Sequence, residues 1–208
     1  MNIDFLIFIG VIIVDIVLVL EIFYFIIKRS VSNRLIQAAF EKNEEKFDSI
    51  AGSFLAKILS DYDKELIKFN VASILKENDK IDKSIANFEK MDLKKRQRKE
   101  LYPKIFYYYI DRNKKQEAKK YYDLLSEFEV SKNKKDIEMT YDAYVAGGHK
   151  YLDEALGKLK KAKPQELPTL ERAISKMYDN KKINSETKKY ERLAERHQRE
   201  LENNKRKR

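Results

Sequence analysis

The stretch YPKIFYYYIDRNKKQEAKKYYDLLSEF, residues 102–128, holds two helical signals separated by one stop. Tyr102, Phe106 and Tyr109 recur at steps of four and three, as do Tyr121, Leu125 and Phe128, the spacing that keeps side chains on one face of an α-helix. Between them Asn113 sits in a polar break, and Asn, after Gly, is the residue that most readily ends a helix in a left-handed turn. Two amphipathic helices joined by so short a break predict a helical hairpin.

The same pattern extends in both directions. Ile50, Phe54 and Ile58, then Ile67, Val71 and Ile74, precede it, and Leu152, Leu156 and Leu159, then Leu170, Ile174 and Met177, follow it. The chain has only five Gly and three Pro in 208 residues, which with abundant Lys, Glu, Ala, Leu and Ile favours helices over strands. The predicted class is all-α. Asn43, Asn78, Asn113 and Gly148 stand 35 residues apart, and Asn180 follows 32 later; a period of about 34 is that of a helix-turn-helix solenoid. Beyond the breaks a second register appears. Ala155, Leu159 and Ala162, like Ala118, Tyr122 and Leu125 and like Ser84, Phe88 and Met91, place a small residue and then others four and seven positions on. A small residue lets the second helix of a hairpin approach the first, and larger neighbours fill the remaining space.

On these residues the segments resemble tetratricopeptide repeats, although the family's first-helix Trp and Gly are absent. The resemblance implies first helices near 64–77, 99–111, 134–146 and 166–179 and second helices near 81–91, 116–129, 151–162 and 185–201, within a repeat domain over 64–201. A degenerate hairpin over 30–63 would precede it. It further implies a concave face made by the first helices, here Phe69, Ser73, Pro103, Tyr107, Glu138, Asp142, Glu171 and Ser175, as a groove for a peptide or a partner's helix. This set lacks the Lys and Asn pattern with which some family members clamp a C-terminal carboxylate, so a chaperone-tail receptor is not expected.

The N-terminal part reads differently. Phe, Leu, Ile and Val fill 19 of the 23 positions from Phe5 to Ile27, and Lys28 and Arg29 close the run. At about 1.5 Å per residue this is enough to cross a hydrocarbon core of roughly 30 Å, which predicts a single-pass transmembrane anchor over 1–29. No Lys or Arg precedes the run, so a cleaved signal peptide is not expected, and the positive-inside bias places the N-terminus outside and the C-terminal domain in the cytoplasm of a cell membrane. Asp15 and Glu21 are the polar residues of this span. Asp15 reads either as an acid tolerated in a long apolar helix or as a helix-helix contact.

From Lys28 onward 44 Lys and Arg face 31 Asp and Glu, a formal +13, which attracts anionic lipid, nucleic acid or acidic protein surfaces. The densest basic patch is Lys94, Lys95, Arg96, Arg98 and Lys99. It reads as a solvated helix start, with lipid contact as one alternative and nucleic acid as a weaker one. The tyrosines and phenylalanine of 106–109 cover both faces of their helix and read as core. Residues 202–208 end Lys-Arg-Lys-Arg and read as a basic disordered tail. There is no cysteine, no Gly-rich phosphate loop and no zinc-protease motif, and the two histidines, His149 and His197, are far apart in the sequence. Gly147 and Gly148 suit a helix end that needs a positive φ. No cofactor, metal or catalytic residue is predicted. The sequence thus predicts a non-catalytic membrane protein whose helical domain scaffolds an unidentified protein partner, with a membrane-tethered binder of anionic lipid or nucleic acid as the competing reading.

Overall fold

Five helix ends among the described residues are stopped by a residue in the left-handed region. Lys42, Lys76, Asn113, Gly147 and Lys182 take φ between 55° and 69°, so the stops recur at intervals close to the period of the sequence. In a computed structural model describing residues 3–128 and 134–206, with side chains over 14–128 and 134–204, four of these stops close in the same way. The N–H groups of Asn43, Glu77, Lys114 and Ile183 donate to the carbonyls of Ala38, Ala72, Tyr109 and Tyr178 at 2.9–3.1 Å. The residue before each donor bonds back three positions. This paired closure is the Schellman motif, which satisfies carbonyls that a helix end would otherwise leave open.

The described residues are helical throughout, with no strand. The helices are α1 (Ile3–Phe40), α2 (Glu44–Gly52), α3 (Asp61–Leu75), α4 (Asn78–Glu89), α5 (Lys95–Asp111), α6 (Lys115–Ser126), α7 (Lys134–Tyr141), α8 (Leu152–Leu159), α9 (Leu167–Asn180) and α10 (Asn184–Arg206). A 3-10 turn, Phe54–Ile58, follows α2, and a π-helical turn, Asp142–Ala146, extends α7. The chain divides into two compact units, 1–93 and 94–208.

In the first unit α1 contributes Ile27, Val31, Leu35 and Ala38, at steps of four, four and three, to a core completed by Phe47, Ile50, Ala56 and Leu59. Asn43 accepts the N–H of Lys46 with its side chain and so starts α2, and Ser60 and Asp63 form a reciprocal capping box at α3. These caps satisfy N–H groups that the first turn of a helix leaves without intrahelical acceptors. The hairpin of α3 and α4 packs through Tyr62, Phe69 and Phe88, whose rings meet at 5.7–6.1 Å between centroids. Lys42 Nζ reaches Glu77 at 2.5 Å, tying one left-handed stop to the next.

In the second unit α5 pairs with α6 and α9 with α10. Ser84, Ala118 and Ala155 are all buried, each on the second helix of its hairpin, where a small side chain permits close approach. Tyr190 takes the corresponding place on α10 and stacks on Tyr178 at 5.6 Å. The π-helical turn ends at Gly147 and is pinned by Asn180, whose amide donates to the carbonyls of Ala143 at 2.8 Å and Gly148 at 2.7 Å. A Cβ at Gly148 would displace the Asp142 carboxylate, which accepts the N–H of Lys150.

Two expectations are corrected here. Among the described residues no helix is long and apolar enough to cross a membrane. Residues 1–13 of the expected anchor lie outside the described side chains. The predicted single-pass anchor, its N-outside and C-cytoplasmic topology, its cell-membrane localisation and the lipid contact that depended on it are withdrawn. Asp15 and Glu21 are exposed positions on α1. The predicted solenoid of tetratricopeptide-like hairpins is also replaced by a less regular arrangement. Helix α3 is packed by the long α1, and the third hairpin is built from two eight-residue helices joined through a π-helical turn. What stands is an all-α fold with repeat-like hairpin packing. Helix α10 runs to Arg206 and takes in most of the stretch read as a tail.

Lys76 carries a Cβ in the left-handed region and its side chain is exposed. Lys76→Gly is expected to stabilise the chain by about 0.5–1 kcal/mol, since the Cβ penalty of this conformation outweighs the extra backbone freedom of Gly. Urea unfolding of the full chain checks this; an unchanged or lower midpoint would show that the position carries no such penalty.

Candidate functional site

The first helices of the second unit leave a trough between them. Tyr107 on α5, Met139 and Thr140 on α7, and Thr169, Leu170 and Ala173 on α9 line a half-open cleft of about 450 Å³, which Lys158 of α8 and the following Lys161 and Ala162 close on one side. That volume lies in the range of ligand pockets, roughly 300–1,000 Å³. The floor is apolar because Met139 and Ala173 belong to the buried set and Leu170 packs against it. The rim is charged: Asp136, Lys158, Lys161 and Glu166. A second cavity, in the first unit, measures about 150 Å³ beside Ala38, Ala39, Ala72 and Ser84. Charged side chains, among them Glu65, Lys68, Glu77 and Lys80, line its other sides, and it has room for little more than one side chain.

The polar groups of the cleft are tied into structure. Thr140 donates its hydroxyl to the Asp136 carbonyl at 2.8 Å, one turn back. Tyr107 hydrogen-bonds Thr140, and burial pushes its phenol up; Thr140 opposes the shift and Asp136 adds to it. Lys158 Nζ stands 2.7 Å from Asp136 and 3.6 Å from Glu154, and Lys135 meets Glu154 at 3.3 Å. Partial burial opposes the charge on Lys158, but the hydrogen bond and charge of Asp136, with Glu154, raise its pKa overall. These ion pairs join α7 to α8 and hold one wall of the cleft.

The eight residues of the predicted groove fall in both compact units. In the first, Phe69 is buried against Phe88 and the Ser73 hydroxyl bonds the Phe69 carbonyl. In the second, Tyr107 lines the cleft, while Pro103 is half-buried within α5. Glu138 accepts from the Tyr151 hydroxyl at 3.4 Å and pairs with Lys134 at 3.9 Å. Asp142 accepts the N–H of Lys150 at 2.9 Å and so closes the Gly147–Gly148 turn. Ser175 donates to the Thr187 carbonyl at 3.1 Å. Glu171 is 2% exposed, and His197 Nδ1 lies 2.9–3.0 Å from both its carboxylate oxygens.

Lys94, Lys95, Arg96 and Lys99 are exposed at the start of α5, and Arg98 is half-buried and engaged. The Gln97 side chain accepts the Lys94 N–H at 2.8 Å and caps this end. His149 is exposed. Among the described residues no group of His, Cys, Asp or Glu could hold a metal ion.

Met139, Thr140, Leu170 and Ala173 were not singled out as lining residues by the sequence. Leu170 was legible as core through its spacing with Ile174 and Met177, and Thr169 and Ala173 share a helix face one turn apart, but nothing marks which side of that face stays uncovered.

No family model matches the chain. No curated protein matches it. No solved structure matches it. The resemblance to tetratricopeptide repeats is corrected accordingly: it described local hairpin packing and does not extend to a family.

The Glu171–His197 pair joins α9 to α10 in a dry setting. His197→Ala leaves the buried carboxyl group without its partner, at an expected cost of about 1–3 kcal/mol, while Arg199→Ala, which breaks an exposed pair, costs at most about 0.5 kcal/mol. Urea unfolding of both variants checks the difference; equal effects would contradict the burial argument.

Proposed function

We propose that this chain is a non-catalytic protein-binding domain and that the cleft between α5, α7 and α9 receives a segment of a partner protein. The observation that carries the reading is the cleft itself: an open trough with an apolar floor and a charged rim, bounded by three helices. This is the construction that accepts an amphipathic helix or a short extended segment, with apolar anchors on the floor and polar groups at the edge.

The chemistry of the lining supports binding over catalysis. A general base must reach the proton it takes, with a pKa near the working pH. Here the Thr140 hydroxyl is spent on a backbone carbonyl, and Lys158 is held by two carboxylates that favour its charged form. Burial moves the Tyr107 phenol further from neutrality. These groups position helices, and none is poised to move a proton.

Thr169 is exposed at the lip of the cleft in the first turn of α9, so a large side chain there fills the trough without entering the core. A partner captured by the full chain from extract of its own cells is expected to bind Thr169→Trp at least about tenfold more weakly, equivalent to about 1.4 kcal/mol, with helicity unchanged by circular dichroism. Equal capture by both proteins would move the binding surface elsewhere and overturn the assignment.

A further inference from the structure

The edge of the cleft carries positive charge that no described acid neutralises. Several lysines on exposed helix faces are paired with an acid three or four residues away: Lys104 with Glu100, Lys119 with Asp123, Lys176 with Asp179 and Lys189 with Glu186. The segment after α8 has no such pairs. Lys160, Lys161 and Lys163 are exposed and have no ion-pair partner among the described residues. The acids of the lining are already engaged. Asp136 pairs with Lys158, and Glu166 accepts the backbone N–H of Lys163 at 2.9 Å. An uncompensated cationic edge thus borders an apolar floor of Met139, Leu170 and Ala173.

Resting on the cleft as the binding site, we infer that the segment it takes is acidic and amphipathic: apolar side chains on the floor, and Asp or Glu side chains meeting Lys161 with Lys160 and Lys163. Charges of opposite sign on the rim of an interface steer encounter and reject wrong partners more than they add affinity, so these lysines select the sequence of the partner. The patch at Lys94, Lys95, Arg96 and Lys99 is equally unpaired, but it lines neither of the two cavities described above, and charge without an apolar seat gives attraction with no register. A nucleic acid would use the cations and leave the floor empty. The joint presence of both features favours a protein segment.

The test is selection of a random-peptide display library on the full chain, on Thr169→Trp and on the double variant Lys161→Glu with Lys163→Glu. Both lysines are exposed, so the double variant folds, and its helicity checks that it does. The expected result is enrichment on the wild type of peptides that combine Asp or Glu with Leu, Ile or Phe. Enrichment is lost on Thr169→Trp, and a selected peptide binds the double variant at least tenfold more weakly. Cleft-dependent peptides without acidic enrichment overturn the inference and leave the cleft as a binding site. Peptides that bind Thr169→Trp undiminished overturn both. Acidic peptides that bind the double variant as well as the wild type also overturn the inference, since other cations then read the charge. A single-stranded oligonucleotide that displaces the peptide and loses binding in the double variant transfers the site to nucleic acid and overturns it as well.

Discussion

The left-handed helix stop is the constraint on which the fold depends. A helix that ends in a paired 6→1 and 5→2 closure leaves the chain pointing back along its own flank, so the phase of the next helix is set before any side chain packs. At Lys76 and Asn113 that phase turns Ser84 and Ala118 inward, and close approach follows. The reversal at Gly147 reaches the same result by another route. A π-helical turn adds backbone, Gly147 supplies the left-handed residue, and Asn180 holds two of the carbonyls that the irregular turn exposes. Buried backbone acceptors need such partners, which explains an Asn deep in a hairpin junction where an apolar residue would pack as well.

Charge is arranged around this skeleton in two ways. Along exposed helix faces, ion pairs at three- and four-residue spacing neutralise lysine locally, each contributing a few tenths of a kcal/mol. Other pairs join elements: Lys42 with Glu77 links successive reversals, and Lys158 with Asp136, beside Glu154, braces the cleft wall. Positive charge is left over at several exposed sites, and the part of it beside the cleft has a seat for an apolar side chain within reach. Attraction and shape then coincide in the second unit, as a selective binding surface needs.

Much of the helical architecture was legible because it is written in local signals. Tyr102, Phe106 and Tyr109 gave a face, Asn113 gave a stop and Ala118 gave a close approach, and the structure uses each of them so. Asn43 shows the limit of the period: the left-handed residue is Lys42, and Asn43 caps the next helix with its side chain. Lysine has no special claim to a positive φ, so Lys42, Lys76 and Lys182 could be located only through their neighbours. The groove was harder to read because a first helix is buried on more than one side. Glu171 and Ser175 look like surface residues from their chemistry, yet His197 and the Thr187 carbonyl satisfy them inside the α9–α10 hairpin. Those partners are 12 to 26 residues away, beyond any local pattern. The apolar run of α1 was read from its length and its closing Lys28 and Arg29 as a membrane span, and no helix among the described residues is long and apolar enough for one.

Hydrogen exchange on the full chain with and without a captured partner tests most directly whether the cleft is where binding occurs. Added protection over 136–141 and 167–173, with the exposed start of α5 at 94–99 unchanged, is the predicted result. Protection confined to 94–99, or to the first unit, would contradict the assignment of the cleft.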